Sequence, residues 1–328
     1  MYTSSRPASP KSDEKWGDYV GAAFNSEKKS SRTGYILSDR KKEALWGYIL
    51  IFPAFAILLI FHILPALSSF WFALTEWNGL TAPTFIGLEN FISMLNDTQF
   101  LNSIVNTAIF TSGSVILSVV IAVFFAVLLN QKIKGRAFYR ATYFLPFVVM
   151  LVAVGTTFSW LFNSEYGLVN QILGFFGLPA PSWITNPGLL MATMILADVW
   201  HKLGYNLVIL LAGLQSIPSN YYEAADIDGA GPFQKFWKVT LPLLSPSLFF
   251  VIIISLINSF KMFDLVFIMT GGNPVLLDGT ATMVYNIYEE AFTYSYMGYA
   301  SAQSIVLFII IMIATLIQFY LQRKWVHY

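Results

Sequence analysis

The sequence predicts an all-α, polytopic membrane protein with about six transmembrane helices, and three observations carry that reading. Hydrophobic residues make up 56% of the 328 and charged residues only 11%, against roughly 25% charged in a typical soluble domain. Mean hydropathy is +0.62, so the solvent of most of the surface is lipid. The charges, second, are confined to a few places, leaving intervals long enough for the roughly 20 apolar residues that carry a helix across a bilayer core. Third, these intervals are continuously apolar, whereas strands of a membrane barrel alternate over about ten residues. The net charge of +1 argues against a nucleic-acid partner. The absence of cysteine excludes disulfides, thiolate nucleophiles and Cys-ligated metals.

Taken in order, residues 1–42 read as a polar tail and 43–328 as the transmembrane domain. The tail lacks the apolar stretch of a cleaved signal peptide. Its Lys11, Lys15, Lys28, Lys29, Arg32 and the run Arg40-Lys41-Lys42 place it in the cytoplasm by the positive-inside rule. Segment 16–24 is compatible with a short surface helix and with disorder. No Asp, Glu, Lys or Arg lies between Glu43 and Glu76, Asp97 and Lys132, Arg140 and Glu165, Lys238 and Lys261, or Glu290 and Arg323, which gives five spans. A further span, fourth in chain order, runs from Gly188 to Gln215 and is apolar apart from Asp198, His201 and Lys202. Pro53, Pro65 and Pro146, within or beside spans, are expected kinks.

Six spans with both ends inside put the external segments near 73–103, 164–187 and 269–300, and none of these contains Lys or Arg. Of the 19 basic residues, nine lie in the tail, four in 131–140, two in 216–242 and two after 322, with Lys202 and Lys261 inside spans. Trp71, Trp77, Trp160, Trp183 and Trp325 fall near span ends, as an aromatic belt requires.

Between the fourth and fifth spans lies one long cytoplasmic loop, 216–242. Asn220 and Glu223 stand at capping-box spacing after Pro218, which ends the preceding helix. Acidic residues near the start suit the helix dipole, Gly229 supplies a left-handed end and Pro232 suits the first turn of a second helix. The loop is therefore expected to form a helix-turn-helix elbow at the membrane surface. Tyr221, Tyr222, Phe233, Phe236 and Trp237 give it the apolar anchors of a docking element. An interfacial helix lying on lipid headgroups is the alternative.

Glu223-Ala224-Ala225, then Gly229, then Val239 and Leu241-Pro242 follow the spacing of the EAA loop, and on these residues the chain resembles the permease subunits of ABC importers. Most of the chain is similar to the sugar-type permeases of the maltose and glycerol-phosphate group. Other stretches typical of that group are Phe85-Ile86-Gly87-Leu88-Glu89-Asn90-Phe91, Tyr166-Gly167-Leu168-Val169-Asn170, Leu214-Gln215-Ser216-Ile217-Pro218 and Phe263-Asp264 leading to Met269-Thr270-Gly271-Gly272. The resemblance implies a type I importer permease fold in a bacterial plasma membrane, with Glu223, Ala224, Ala225, Gly229, Leu241 and Pro242 coupling it to a separate ATPase. It also implies a second homologous permease as heterodimer partner, two ATP-binding cassette subunits and an extracytoplasmic solute-binding protein. The chain would carry no cofactor itself, ATP and magnesium belonging to the ATPase, and it contains no Gly-Lys-Ser/Thr phosphate loop.

Ionisable groups at membrane depth usually face a cavity or a partner. Asp198 and Lys202 stand four apart and Lys261 and Asp264 three apart, so both sets read either as intrahelical ion pairs or as lining of a translocation path. His201 is expected to hydrogen-bond a carbonyl. Resemblance to the maltose permease places substrate-facing positions at Gly204 and Leu207 in the fourth span and at Asn258, Ser259 and Met262 in the fifth, with Lys202 and Lys261 beside them. Met262 stands where that permease has an amide, which leaves the sugar open. Cationic residues at 201, 202 and 261 would suit uronate oligosaccharides or glycerol-phosphate-like solutes, provided the lysines are not paired internally. A stand-alone secondary transporter would explain the spans and buried charges, but it has no use for the full EAA spacing.

Overall fold

The computed structural model describes residues 33–131 and 134–326. Most of the expected tail, including 16–24, lies outside the described residues. The chain divides into two units, 1–66 and 67–328.

In the first unit, helix α1 (Thr33–Leu58) runs through Pro53 without interruption and continues into a π-helical turn, Leu59–Ile63. Helix α2 (Leu64–Phe72) follows. The π turn lies just before Pro65, where a proline that lacks an N–H and crowds the carbonyl four residues back is accommodated by a wider turn. Residues Lys41–Phe72 are long and apolar enough to cross a membrane.

The second unit carries a small antiparallel hairpin, β1 (Thr75–Glu76) against β2 (Thr84–Phe85), which holds the only strands among the described residues. Helix α3 (Glu89–Met94) precedes α4 (Thr98–Asn130), which Asp97 caps by accepting from the Gln99 and Phe100 amides. The third charge-free interval is not one continuous helix, as the composition alone suggested. It comprises α5 (Arg136–Val148) and α6 (Leu151–Leu161), bent by 96° at the break. Pro146 removes a helical donor one turn before that break, and Val149 and Met150 take extended backbone angles. Helix α7 (Leu168–Phe175) leads to α8 (Pro187–Gln215), started by Pro187 at N1 and capped by Asn186.

The elbow follows as α9 (Ser219–Ile227) and α10 (Pro232–Lys235). Its first helix begins earlier than the Asn220–Glu223 box implies, with Pro218 as N-cap and no side-chain cap. Pro218 already fixes the extended entry, so Asn220 lies inside the helix. The backward bond of a capping box forms at α10 instead, from the Gly231 amide to the Gln234 side chain at 3.2 Å. A second π turn, Phe236–Thr240, lies just before Pro242 and joins α10 to α11 (Leu241–Phe260), so that Pro232–Phe260 forms one span-length helical stretch. Helices α12 (Asp264–Thr270), α13 (Pro274–Asp278) and α14 (Met283–Tyr288) are short; a π turn, Glu289–Thr293, precedes the long α15 (Met297–Trp325).

Helix α8 is the centre of this unit. Its first half, with Leu190, Met194 and Ala197, joins one apolar cluster with Phe110, Val154 and Leu265. Its last part, with Leu207, Leu210 and Leu214, joins another with Ala122, Leu244 and Val251. Between them lies the polar stretch Asp198–Asn206.

Candidate functional site

Two places concentrate chemistry outside these apolar clusters. The elbow is the first. Gly229 has φ +72° with open space around it, so the left-handed turn between α9 and α10 is what the glycine serves. Ala225 is buried, while Glu223 and Ala224 are exposed. Ile227 is 87% exposed, Phe233 75% and Trp237 53%, an apolar surface larger than a connector requires. The elbow is held in shape from within. Tyr222 shares a hydrogen bond with Thr240 across 3.1 Å, and Lys235 pairs with Asp226. Glu223 forms no ion pair among the described residues. Leu241 packs against the apolar cluster of α8 and α11, and Pro242 opens α11 at N2, so this end of the loop is anchored while Glu223 stands free.

The second place lies between α4, α8 and α11. Asp198 and Ser259 are fully buried, and Lys202 nearly so. The Lys202 ammonium donates to Asp198 Oδ2 at 2.5 Å and to Ser259 Oγ at 2.8 Å, and Ser114 of α4 donates to the same carboxylate oxygen. The expected intrahelical pair therefore forms, and it ties three helices together. Ser255 Oγ donates to Asn206 Oδ1 at 3.3 Å one turn away. His201 meets the Val149 carbonyl at 3.1 Å, supplying a partner to a backbone group orphaned by the break between α5 and α6.

Beside this network a cavity of about 370 Å³ opens, lined among others by Phe147, Tyr205, Asn206, Asn258, Lys261 and Met262. The Phe147 and Tyr205 rings stack with centroids 4.9 Å apart. Asp198 Oδ1, His201 Nδ1 and Asn206 Nδ2 are buried without a hydrogen-bond partner, which is costly unless a water or ligand meets them. Lys202, Asp264 and Ser255 also reach the cavity. Lys261 and Asp264 do not form the ion pair that their spacing allows. Helix α11 ends at Phe260, and Phe263 (φ −129°, ψ −51°) breaks the helical path between them.

Two sequence-derived positions fall elsewhere. Gly204 is a backbone crossing: a Cβ there would collide with the Tyr143 carbonyl oxygen and stand 2.7 Å from Phe144 Cα. Leu207 is fully buried in the apolar cluster. Neither lines the cavity, and Ser259 reaches it only through Lys202. Ser114, Asn206 and Tyr205 were missed by sequence reasoning. A sign of the first was present: Ser103, Thr107, Thr111, Ser114 and Ser118 recur at helical spacing along the buried face of α4, the small polar stripe that lets membrane helices approach and bond.

The family model described as the inner membrane component of binding-protein-dependent transport systems matches residues 136–327. The chain is 38% identical over 291 residues to a probable ABC transporter permease protein, YesP, of Bacillus subtilis, covering 88% of this chain and 94% of that protein. It is 34% identical over 277 residues to the trehalose/maltose transport system permease protein MalF of Thermococcus litoralis, covering 84% and 93%. Over 282 residues it is also 34% identical to the sn-glycerol-3-phosphate transport system permease protein UgpA of Salmonella typhimurium, covering 84% and 94%. A solved bacterial ABC transporter that imports the acidic polysaccharide alginate aligns with TM-score 0.78 at 22% identity, over 88% of this chain and 99% of the matched one.

Proposed function

Because the chain belongs to the inner-membrane components of binding-protein-dependent transport systems, the ABC importer permeases, we propose that it moves a sugar or oligosaccharide inward by alternating access, powered by ATP hydrolysis on separate subunits. The observation that carries this reading is the continuity of Pro232–Phe260. One end of that helical stretch is the elbow, and the other carries Asn258 and, just beyond, Lys261 and Met262 on the cavity wall. A displacement applied at the elbow reaches the cavity as a rigid-body movement.

In this reading Glu223 pairs with a basic residue in a cleft of the ATPase subunit, and the exposed Phe233 and Trp237 supply its apolar anchors. Ala224 and Ala225 keep α9 slim enough to enter, Gly229 sets the angle of the elbow, and Leu241 and Pro242 fix it to α11. ATP and magnesium are held by the two cassette subunits and not by this chain. The path runs past Asn258, Lys261 and Met262, with amides for hydroxyl groups and the Phe147–Tyr205 stack for the apolar face of a sugar ring. Lys202 and Ser259 brace that wall from behind, and Gly204 and Leu207 seat α8 against its neighbours. The relatives named for trehalose/maltose and sn-glycerol-3-phosphate transport support a small polyhydroxylated solute. A second, homologous permease completes the pore, a solute-binding protein delivers the substrate outside, and both termini lie in the cytoplasm. The absence of Lys and Arg from the external segments supports that orientation.

The test is to purify the chain with its co-expressed partners, find which sugars raise the melting temperature of the binding protein, and add the loaded binding protein to the complex in nanodiscs. Stimulated ATP hydrolysis with sugar uptake in proteoliposomes is expected. ATP hydrolysis indifferent to every loaded form would overturn the proposal.

A further inference from the structure

Three basic side chains reach the cavity, and the structure gives them different standing. The Lys202 ammonium is committed to Asp198 and Ser259, so the charge it brings is already compensated inside the protein. One nitrogen of His201 is held at the Val149 carbonyl. Lys261 is exposed and forms no ion pair among the described residues, because the chain leaves the helical path before Asp264. The wall thus presents one uncommitted ammonium, the Asp264 carboxylate and the unpartnered Oδ1 of Asp198, the amides of Asn206 and Asn258 and the paired rings of Phe147 and Tyr205. Asn206 is 1% exposed and its Nδ2 has no partner, a buried donor waiting for an acceptor.

Resting on the importer reading above, we infer that Lys261, left unpaired beside Asp264 on the cavity wall, selects a sugar carrying a single anionic group, a carboxylate or a phosphate ester, with the remaining contacts made to hydroxyls. A neutral sugar would leave the ammonium without a counter-charge. A polyanionic chain would set its further charges against Asp264 and the apolar lining, where repulsion and desolvation oppose it. One charge at Lys261, hydroxyl donors at Asp264 and Asp198 Oδ1, and a hydroxyl acceptor at Asn206 meet the charged groups and the buried amide of the wall.

Three probes that differ at one carbon test this: glucose, glucuronate and glucose 6-phosphate, whose binding to the whole complex in nanodiscs is titrated by ligand-observed NMR. At least one of the two anions is expected to bind ten-fold or more tighter than glucose, and the tighter of them tells carboxylate from phosphate. Lys261→Met is expected to abolish that preference, and Lys261→Arg to keep it. Equal binding of all three probes, or a preference that survives Lys261→Met, overturns the inference and leaves the importer reading standing. If none of the three binds and no loaded binding protein stimulates ATP hydrolysis, the importer reading falls and takes this inference with it.

Discussion

The elbow and the Asp198–Lys202 network hold charges for opposite reasons. At the elbow Glu223 is exposed and unpaired, on a short helix whose neighbours Phe233 and Trp237 also face outward. In the network every charge is buried and met: Asp198 by Lys202 and Ser114, Lys202 also by Ser259. An exposed charge beside exposed aromatics contributes little to the fold and is free to act on a partner. A buried, compensated pair contributes through its integrity, since removing one member strands the other. Position, more than residue type, divides the exposed charge from the buried, structural ones in this chain.

The largest expected effect breaks the buried side of that contrast. Lys202→Met leaves Asp198 uncompensated and is expected to destabilise the subunit by about 3–5 kcal/mol, seen as a fall in the melting temperature of the purified complex. Asp198→Leu combined with Lys202→Met should recover most of that loss. A double variant no more stable than the single one would mean that the pair is not the source of the cost.

The exposed side should behave in reverse. Glu223→Lys is expected to leave the melting temperature within about 1 kcal/mol equivalent, as surface changes do. The same variant should abolish ATP-driven uptake, because breaking a close charge pair across an interface costs about 2–5 kcal/mol. Gly229→Asp is expected to act likewise by distorting the left-handed turn. Full uptake by either variant in proteoliposomes would remove the elbow from the coupling path.

These two regions also differ in how far the sequence discloses them. The elbow is a linear pattern: Gly229 and Pro232 lie within four residues and each acts on its neighbours, although the expected acidic start does not hold, since α9 begins at Ser219 with no acidic residue in its first turn. The six apolar intervals were equally legible, since lipid tolerates nothing else. The network joins residues 57 and 84 positions apart, so periodicity gave the Asp198–Lys202 pair within one helix but not Ser114 or Ser259 as its partners. Pro146 marked a weak point in the third span, but neither the 96° bend nor the contact of His201, from another helix, with the Val149 carbonyl at the break could be read from it. Pro53, with the same local chemistry, interrupts nothing.

A smaller effect sharpens the constructive role of α8. Gly204→Ala places a methyl group against the backbone of Tyr143 and Phe144, which cannot yield as a flexible side chain would. An overpacking cost of about 1–3 kcal/mol is expected. Separation of α5 from α8 would also stretch the His201–Val149 contact, so hydrogen exchange at the break between α5 and α6 should rise. Unchanged exchange there would show that the two helices meet independently of that crossing.

The smallest expected effect asks what burial does to an acid that has no lysine. Glu290, in the π turn before α15, is 9% exposed and faces Asp97 and Glu289, while Asp97 is occupied by the Tyr299 hydroxyl and its own capping amides. Burial first, then the two neighbouring carboxylates, push its carboxyl up to about 7. Because the folded state holds this proton more tightly than the unfolded chain, stability conferred by the neutral form is present at low pH. It is lost as pH rises from the ordinary glutamate range, near 4.5, through about 7. The melting temperature of the complex should therefore fall between pH 5 and 8, and Glu290→Gln should flatten that decline and raise the value at pH 8. A decline that persists unchanged in Glu290→Gln would mean that this acid is not its source.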